Sequence, residues 1–291
     1  MSLPTVAILS PGDMGHAVGQ VLKWHGLRVV ACMHDRSART RDFAEQAGIE
    51  NLPDYQALVT EADIILSILV PAQARTAAQT IATALQQGRA DLIYVDCNAI
   101  APATTLEIEG IITGAGARFI DASIIGPPPR KEGVTRFYAS GPDVESFATL
   151  GAYGLDVRVL GNEIGQASAI KMCYAASTKG LSALFATLLT AARSLGVFDA
   201  LIEEFEISQP GTLERMKRLP YVPRKSRRFV GEMEEIAATF ASTGLSPAML
   251  AGAADIYRLI GETHLADTNP EDPTPPPALV EMIRILAEQL S

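Results

Sequence analysis

Two lysines carry the first chemical suggestion in this sequence. Residues Gly161 to Lys179, GNEIGQASAIKMCYAASTK, open with a glycine-bearing turn and run into an apolar helix that holds Lys171 and Lys179. A lysine amine drawn partly out of water loses basicity, because burial disfavours the charged form. Such an amine takes and returns a proton near neutral pH, so Lys171 is the candidate general acid/base. The plainer alternative is a lysine snorkelling from a half-buried helix. Tyr174, about one turn on, and Lys179, about two turns on, fall near the same face. Both are candidate substrate contacts, Lys179 for an anionic group.

A second chemistry sits at the other end of the chain. Thr5 to Leu9 is a short apolar run that ends in Ser10-Pro11-Gly12-Asp13-Met14-Gly15. A helix-like segment, HAVGQVLKWHG, follows and closes at Gly26; a second apolar run, Arg28 to Met33, ends in His34-Asp35-Arg36. Strand, glycine turn, helix, strand and a terminal acid form the dinucleotide fingerprint in its proper context. Gly12 lets backbone approach a diphosphate, Gly15 lets helix pack on strand, and the helix start presents N–H groups to the phosphates. Ser10 stands where the first glycine of the pattern is usual. Ser10 to Gly15 are therefore the candidate cofactor loop.

The end of the second strand sets the choice of cofactor. Asp35 there favours the free ribose hydroxyls of NAD, whereas Arg36 accommodates the 2′-phosphate of NADP. Arg36, Ser37 and Arg39 together make a phosphate pocket, and the balance favours NADP over NAD. Arg41 reads as part of a charged helix face.

These side chains need elements to hold them. Asp63 to Leu69, Leu92 to Val95, Arg118 to Ala122, Arg136 to Ser140 and Asp156 to Leu160 read as further strands. Their continuous apolar character suits a parallel sheet buried on both faces. A helix over Ala72 to Gln87 separates the first two, and Val70-Pro71 at its head should cover the cofactor. Ligands lie at the carboxyl ends of such strands. Asn98 and Ser123 are the polar candidates on that rim; a helix cap and a turn hydroxyl are their structural alternatives.

Bulk properties narrow the class. The chain has 291 residues, 24 Lys and Arg against 33 Asp and Glu, and a net charge of −9. That balance argues against a general nucleic-acid binder, the RKSRR run at Arg224 to Arg228 reading as a solvated segment. Cys32, Cys97 and Cys173 are scattered, which fits neither a disulfide framework nor a metal site and suits a reducing cytoplasm. The start lacks a basic segment followed by an apolar core, so no signal peptide is read. The apolar run between Lys179 and Asp199 contains Arg193 and suits a core or a subunit interface better than a membrane.

In the second half, helices are expected at Ala200 to Ile207, Thr212 to Arg218, Lys225 to Ala241, Pro247 to Gly261 and Pro276 to Leu290. In FVGEMEEIAATF, Phe229, Met233, Ile236, Ala237 and Phe240 recur at helical spacing. Glu232, Glu234 and Glu235 are then either catalytic carboxylates or, more plainly, a solvated face paired with Arg227 and Arg228. His264 reads as a surface histidine, and NPEDPTPPP as a rigid connector.

Four stretches resemble the β-hydroxyacid dehydrogenase and 6-phosphogluconate dehydrogenase superfamily: PGDMG, VDCNAIAP, FIDASIIGP and the segment bearing Gly165 and Lys171. The helical remainder is similar to the phosphogluconate-dehydrogenase-like branch with a short all-helical C-terminal domain. The resemblance implies an α/β Rossmann domain with an extended, mostly parallel sheet over residues 1–162. An all-α substrate and dimerisation domain over 163–291 follows, joined by a long interdomain helix. It implies Lys171 as general acid/base, Asn98 beside the nicotinamide, Gly126 in the substrate segment, and a homodimer. Relatives read D-x-P-V-S-G-G where this chain has Asp121-Ala122-Ser123-Ile124-Ile125-Gly126-Pro127, and carry asparagines where Tyr174 and Ala175 stand. The reaction class is thus kept while the substrate grip is rewritten. The implied activity is hydride transfer between NAD(P) and a hydroxyl-bearing carbon of a small acidic substrate, a 3-hydroxyacid or a phosphogluconate-like compound. An imine reductase, whose relatives usually lack the lysine, and a non-catalytic NADP sensor are the alternatives.

Overall fold

The computed structural model describes residues 3–85, 89, 91–268 and 273–290. The chain parts into two compact units, Met1–Met172 and Cys173–Ser291. The division falls inside a helix, whereas the sequence suggested one before it, after residue 162.

The first unit alternates strand and helix. Its elements are β1 (Thr5–Ile8), α1 (Asp13–Trp24), β2 (Arg28–Cys32), α2 (Ala38–Gln46), β3 (Glu50–Leu52), α3 (Tyr55–Glu61), β4 (Ile64–Ser67), α4 (Pro71–Ala84), β5 (Ile93–Asp96), α5 (Pro102–Gly114), β6 (Arg118–Ile125), β7 (Arg136–Ser140), α6 (Val144–Ala148), β8 (Asp156–Gly161) and α7 (Gln166–Ala175). The strands form one eight-stranded sheet in the order β3-β2-β1-β4-β5-β6-β7-β8. Among the described residues only the β6–β7 pair is antiparallel. Side chains alternate across the pleat, so each apolar strand feeds two cores. Val6, Ile8, Val29 and Leu66 pack with Val18 and Leu22 of α1. Ala7, Val30, Ile65 and Tyr94 pack on the other face with Ala78, Ile81 and Ile108. This is the α/β fold expected from the apolar runs. The three-residue β3 was not anticipated, and the expected end of α4 at Gln87 lies outside the described residues.

The backbone stays helical from Gln166 to Ser194, through a π turn at Ala176–Gly180 into α8 (Leu181–Ser194). The second unit continues with α9 (Phe198–Ser208), α10 (Pro210–Met216), α11 (Pro223–Ser242), α12 (Ala248–Glu262) and α13 (Leu279–Gln289). Each sits within a few residues of its expected span. Met233, Ile236 and Ala237 of α11 are buried, as their spacing predicts. Tyr257 of α12 is fully buried and meets Phe229 edge to face, with ring centroids 5.3 Å apart. Among the described residues no helix is long and apolar enough to cross a membrane.

Candidate active site

The turn after β1 is built to receive an anion. Gly12 N–H donates to Ser10 O at 2.8 Å, and the α1 ladder starts with His16 N–H to Gly12 O at 2.9 Å. The N–H groups of Asp13, Met14 and Gly15 lie ahead of that ladder, at the positive end of the helix. A Cβ on Gly15 would lie 2.3 Å from Ser10 O and 3.1 Å from Ile8 Cγ2, so only glycine fits under the turn. Gly12 has open space where its Cβ would point, leaving room for a ligand. Pro11 is buried beneath the loop and Met14 packs against the core. Asp13 accepts from Arg130 Nη2 at 2.6 Å, across from the β6–β7 loop.

His16 escaped attention in the sequence. It is buried, its Nδ1 lies 2.7 Å from Gly12 O, and its ring stacks on Phe43 at 4.3 Å. Arg39 lies over Phe43, 5.3 Å from the ring centroid. Only its place in the first turn of the fingerprint helix could have signalled it.

The ribose end departs from the expected phosphate pocket. Asp35 takes a left-handed backbone, φ 56°, with its side chain 89% exposed and 3.2 Å from His34 Nε2. Arg36 turns inward and donates from Nη2 to Leu9 O and Tyr55 Oη, each at 3.0 Å. Ser37 caps α2, its Oγ accepting from Thr40 N–H at 3.2 Å. Arg36, Ser37 and Arg39 therefore do not converge on one point: carbonyl, phenol, backbone and ring each claim one of them. Arg36 instead walls a cavity of about 290 Å³ with Leu9, Tyr55, Leu69, Gln73 and Thr76. Val70 caps α4 and Pro71 occupies its first turn, beside Leu69 of that cavity. Phosphate-ready N–H groups, the space at Gly12 and this cavity fit a dinucleotide.

Asn98 does not face open space. It is 1% exposed. Its Oδ1 accepts from Leu69 N–H at 2.6 Å, while Nδ2 donates to Ser67 Oγ at 2.9 Å and to Asp96 Oδ2 at 3.0 Å. Its N–H also donates to Asp96 Oδ1 at 2.9 Å. With both amide ends engaged, Asn98 ties the ends of β4 and β5 together. Burial pushes the Asp96 carboxyl up to about 7, against the opposing bonds from Asn98.

Ser123 also turns inward. Fully buried, it donates to Ala167 O at 2.7 Å. It therefore fastens α7 to β6. Gly126 takes φ +129°, and a Cβ there would sit 2.1 Å from Val134 O, so its role is to turn the chain.

Asp121, the register partner of Asp96 across β5 and β6, is the group that the sequence reading missed. Its Oδ2 accepts from Gly165 N–H at 2.9 Å and Ser168 N–H at 3.0 Å. Its Oδ1 accepts from Ser168 Oγ at 2.7 Å. Ser140 Oγ donates to Oδ2 at 3.3 Å and accepts from Ala167 N–H at 3.1 Å. Gly165, at φ +102°, supplies the turn that brings these donors round. Burial raises the Asp121 carboxyl, and the bonds from Ser168 and Gly165 pull the other way. One turn on, the half-buried Lys171 donates from Nζ to Ile124 O at 2.6 Å, near the carboxyl end of β6.

In the second unit, Tyr174 is exposed. Lys179 pairs with Glu232 at 2.9 Å, the two side chains 14% and 9% exposed, and its Nζ lies 5.1 Å from the Phe229 ring centroid. The charge of Lys179 is thus matched within the helical unit. Glu232 also meets Arg228 Nε at 3.1 Å. It is thus buried rather than on a solvated face, while Glu234 pairs with Arg258 and Arg227 with Asp267.

Sheet, loop and cavity define a nicotinamide dinucleotide-binding protein of the dehydrogenase type. The chain belongs to the family of the NAD binding domain of 6-phosphogluconate dehydrogenase, whose model matches residues 5–151. Residues 192–260 match a domain of unknown function (DUF1932). A solved conserved protein of unknown function, described as structurally similar to 3-hydroxyacid dehydrogenases, is 30% identical; the match covers 91% of this chain and 99% of that one, with a TM-score of 0.67. An uncharacterized 28.5 kDa protein of Methanothermus fervidus is 27% identical over 88% of this chain and 99% of its own. The 3-hydroxyisobutyrate dehydrogenase of Mycobacterium tuberculosis shares the fold, with a TM-score of 0.71 at 17% identity over 98% of this chain and 99% of that one.

Proposed function

We propose that this protein is an NADP-preferring oxidoreductase acting between CH–OH and C=O on a small acidic substrate of the 3-hydroxyacid or phosphogluconate-like class. The observation that carries the reading is Lys171 Nζ held on Ile124 O near the carboxyl end of β6, where ligands gather in open α/β sheets. Bound nicotinamide supplies the hydride acceptor or donor. Lys171 does the proton work: its amine, held by Ile124 O, takes the proton of the substrate hydroxyl in oxidation and returns it in the reverse direction. The N–H groups of Asp13, Met14 and Gly15 hold the diphosphate. Arg36 walls the cavity that would take the adenosine. With Arg36 on Leu9 O and Tyr55 Oη and Arg39 over Phe43, the preference for NADP over NAD rests on two cations near the one carboxylate of Asp35 and not on a formed phosphate pocket.

A homodimer is part of this proposal. Leu181, Leu184 and Leu195 stand exposed on α8 and just beyond it, and a second copy of the chain covers them. A monomer by light scattering at micromolar concentration refutes it. The free thiols of Cys32, Cys97 and Cys173 suit work in the cytoplasm.

The test is a fluorescence titration with NADPH and NADH, followed by turnover on a panel of hydroxy acids and cyclic imines. Lys171→Met should keep cofactor affinity within two-fold and lower hydride transfer at least 100-fold, about 2.7 kcal/mol of barrier. Hydride transfer retained in that variant removes the lysine from the mechanism. Turnover of imines alone removes the CH–OH assignment.

A further inference from the structure

Helix α7 owes its start to groups far away in sequence. Its first-turn N–H groups turn to partners outside the helix. They meet a buried carboxylate and a buried hydroxyl on two strands: Gly165 and Ser168 N–H on Asp121, and Ala167 N–H on Ser140 Oγ. Ser168 Oγ adds a third bond to Asp121 and lies 2.8 Å from Thr105 Oγ1. Ser123 holds the same turn from its carbonyl side, through Ala167 O. Asp121, Ser123 and Ile124 are neighbours on β6, and Ile124 O receives Lys171 Nζ.

We propose that Asp121 is the positioning residue for Lys171. By fixing the first turn of α7 to β6, its carboxylate sets the depth and rotation of the next turn. The amine then meets Ile124 O instead of water. An anion fits this place because it accepts from several donors at once and lies at the positive end of the helix. Asn at 121 keeps the shape but offers one acceptor oxygen and turns an NH₂ group toward donors. Asp121 touches no reacting atom and acts only through α7. The inference deepens the proposed chemistry, which depends on Lys171, but its test needs no substrate.

The experiment is competitive acetylation of the full chain with acetic anhydride across pH 6 to 10, read peptide by peptide in a mass spectrometer. Lys131 and Lys179 serve as internal references. In the unmodified protein, Lys171 should label at least ten-fold more slowly than the exposed Lys131. In Asp121→Asn and in the milder Ser168→Ala, the labelling rate of Lys171 should rise five-fold or more. Its pH profile should move toward that of Lys131, while Lys179 and NADPH affinity stay within two-fold. Ser168→Ala decides the matter if Asp121→Asn does not fold. Lys171 labelling within two-fold of the unmodified protein, with an unmoved pH profile, overturns the assignment. Failure of the Lys171→Met experiment instead strikes the acid/base role and leaves this one standing.

Discussion

Arg130 reaches Asp13 across the unit, its Nη2 donating to Oδ1 at 2.6 Å. The pair ties the β6–β7 loop to the first turn of α1, where a diphosphate would otherwise face an uncompensated carboxylate.

Arg130→Ala therefore separates binding from stability. Both side chains are well exposed, 60% and 44%, so the pair adds little to folding. Removing the guanidinium leaves Asp13 to repel phosphate. NADPH affinity should fall about ten-fold, about 1.4 kcal/mol, while the urea midpoint barely moves. Asp13→Asn in the same chain should restore most of the loss. Equal affinities in all three proteins by fluorescence titration contradict this.

Gly15→Ala tests the turn itself. The added Cβ has Ser10 O at 2.3 Å, and backbone must move to admit it. Overpacking of this kind costs about 1–3 kcal/mol. The same displacement spoils the anion-binding geometry, so cofactor affinity should drop with the melting temperature. Gly12→Ala, with open space at its Cβ, should spare stability and weaken only binding.

Glu232→Ala should destabilise the helical unit by about 3 kcal/mol, since removing one partner leaves Lys179 charged and shielded from water. Lys179→Met with Glu232→Gln in one chain should recover much of the loss. Chemical denaturation of the native protein, Lys179→Met, Glu232→Gln and their double variant measures the coupling; additive losses would show that the pair is not linked.

Asp96 predicts a pH trend. Its folded pKa of about 7 lies above an unfolded value of about 3.9, so the folded state holds the proton more tightly. That contribution to stability is complete below the unfolded value and is lost as pH rises through about 7. Asp121 is raised as well and acts in the same direction. Glu50, Asp91 and Glu281 are lowered by arginine partners, so their contributions are lost on acidification instead. Thermal melts should therefore fall between pH 5 and pH 8, and fall less in Asp96→Asn. An identical slope in that variant would sink the assignment.

The fold was legible because burial on both faces forces apolar runs, and because Gly15 is required by a clash that any sequence with this turn shares. The side chains on the rim were harder. Asn98 and Ser123 lie at strand ends where polar groups face ligands, yet both turn inward toward partners on other elements. Strand position says where a residue sits, but its rotamer depends on neighbours such as Leu69 N–H and Ala167 O. Asp121 was passed over for a related reason: its donors, at Gly165 and Ser168, follow more than forty residues later. Lys179 looked available until α11 brought Glu232 beside it. Local spacing carries period and turn chemistry, and pairings between distant segments lie outside it.

The capping of α7 by strands has a consequence for the order of assembly. A helix begins with a costly nucleus, and this one finds its first acceptors only on β6 and β7. β6 pairs with β7 across a short connection and with β5 beyond α5, and α7 needs both strands in place to find these partners. The turn that carries Lys171 is thus set in place with the sheet, and its amine stays outside its final setting until the first unit has folded.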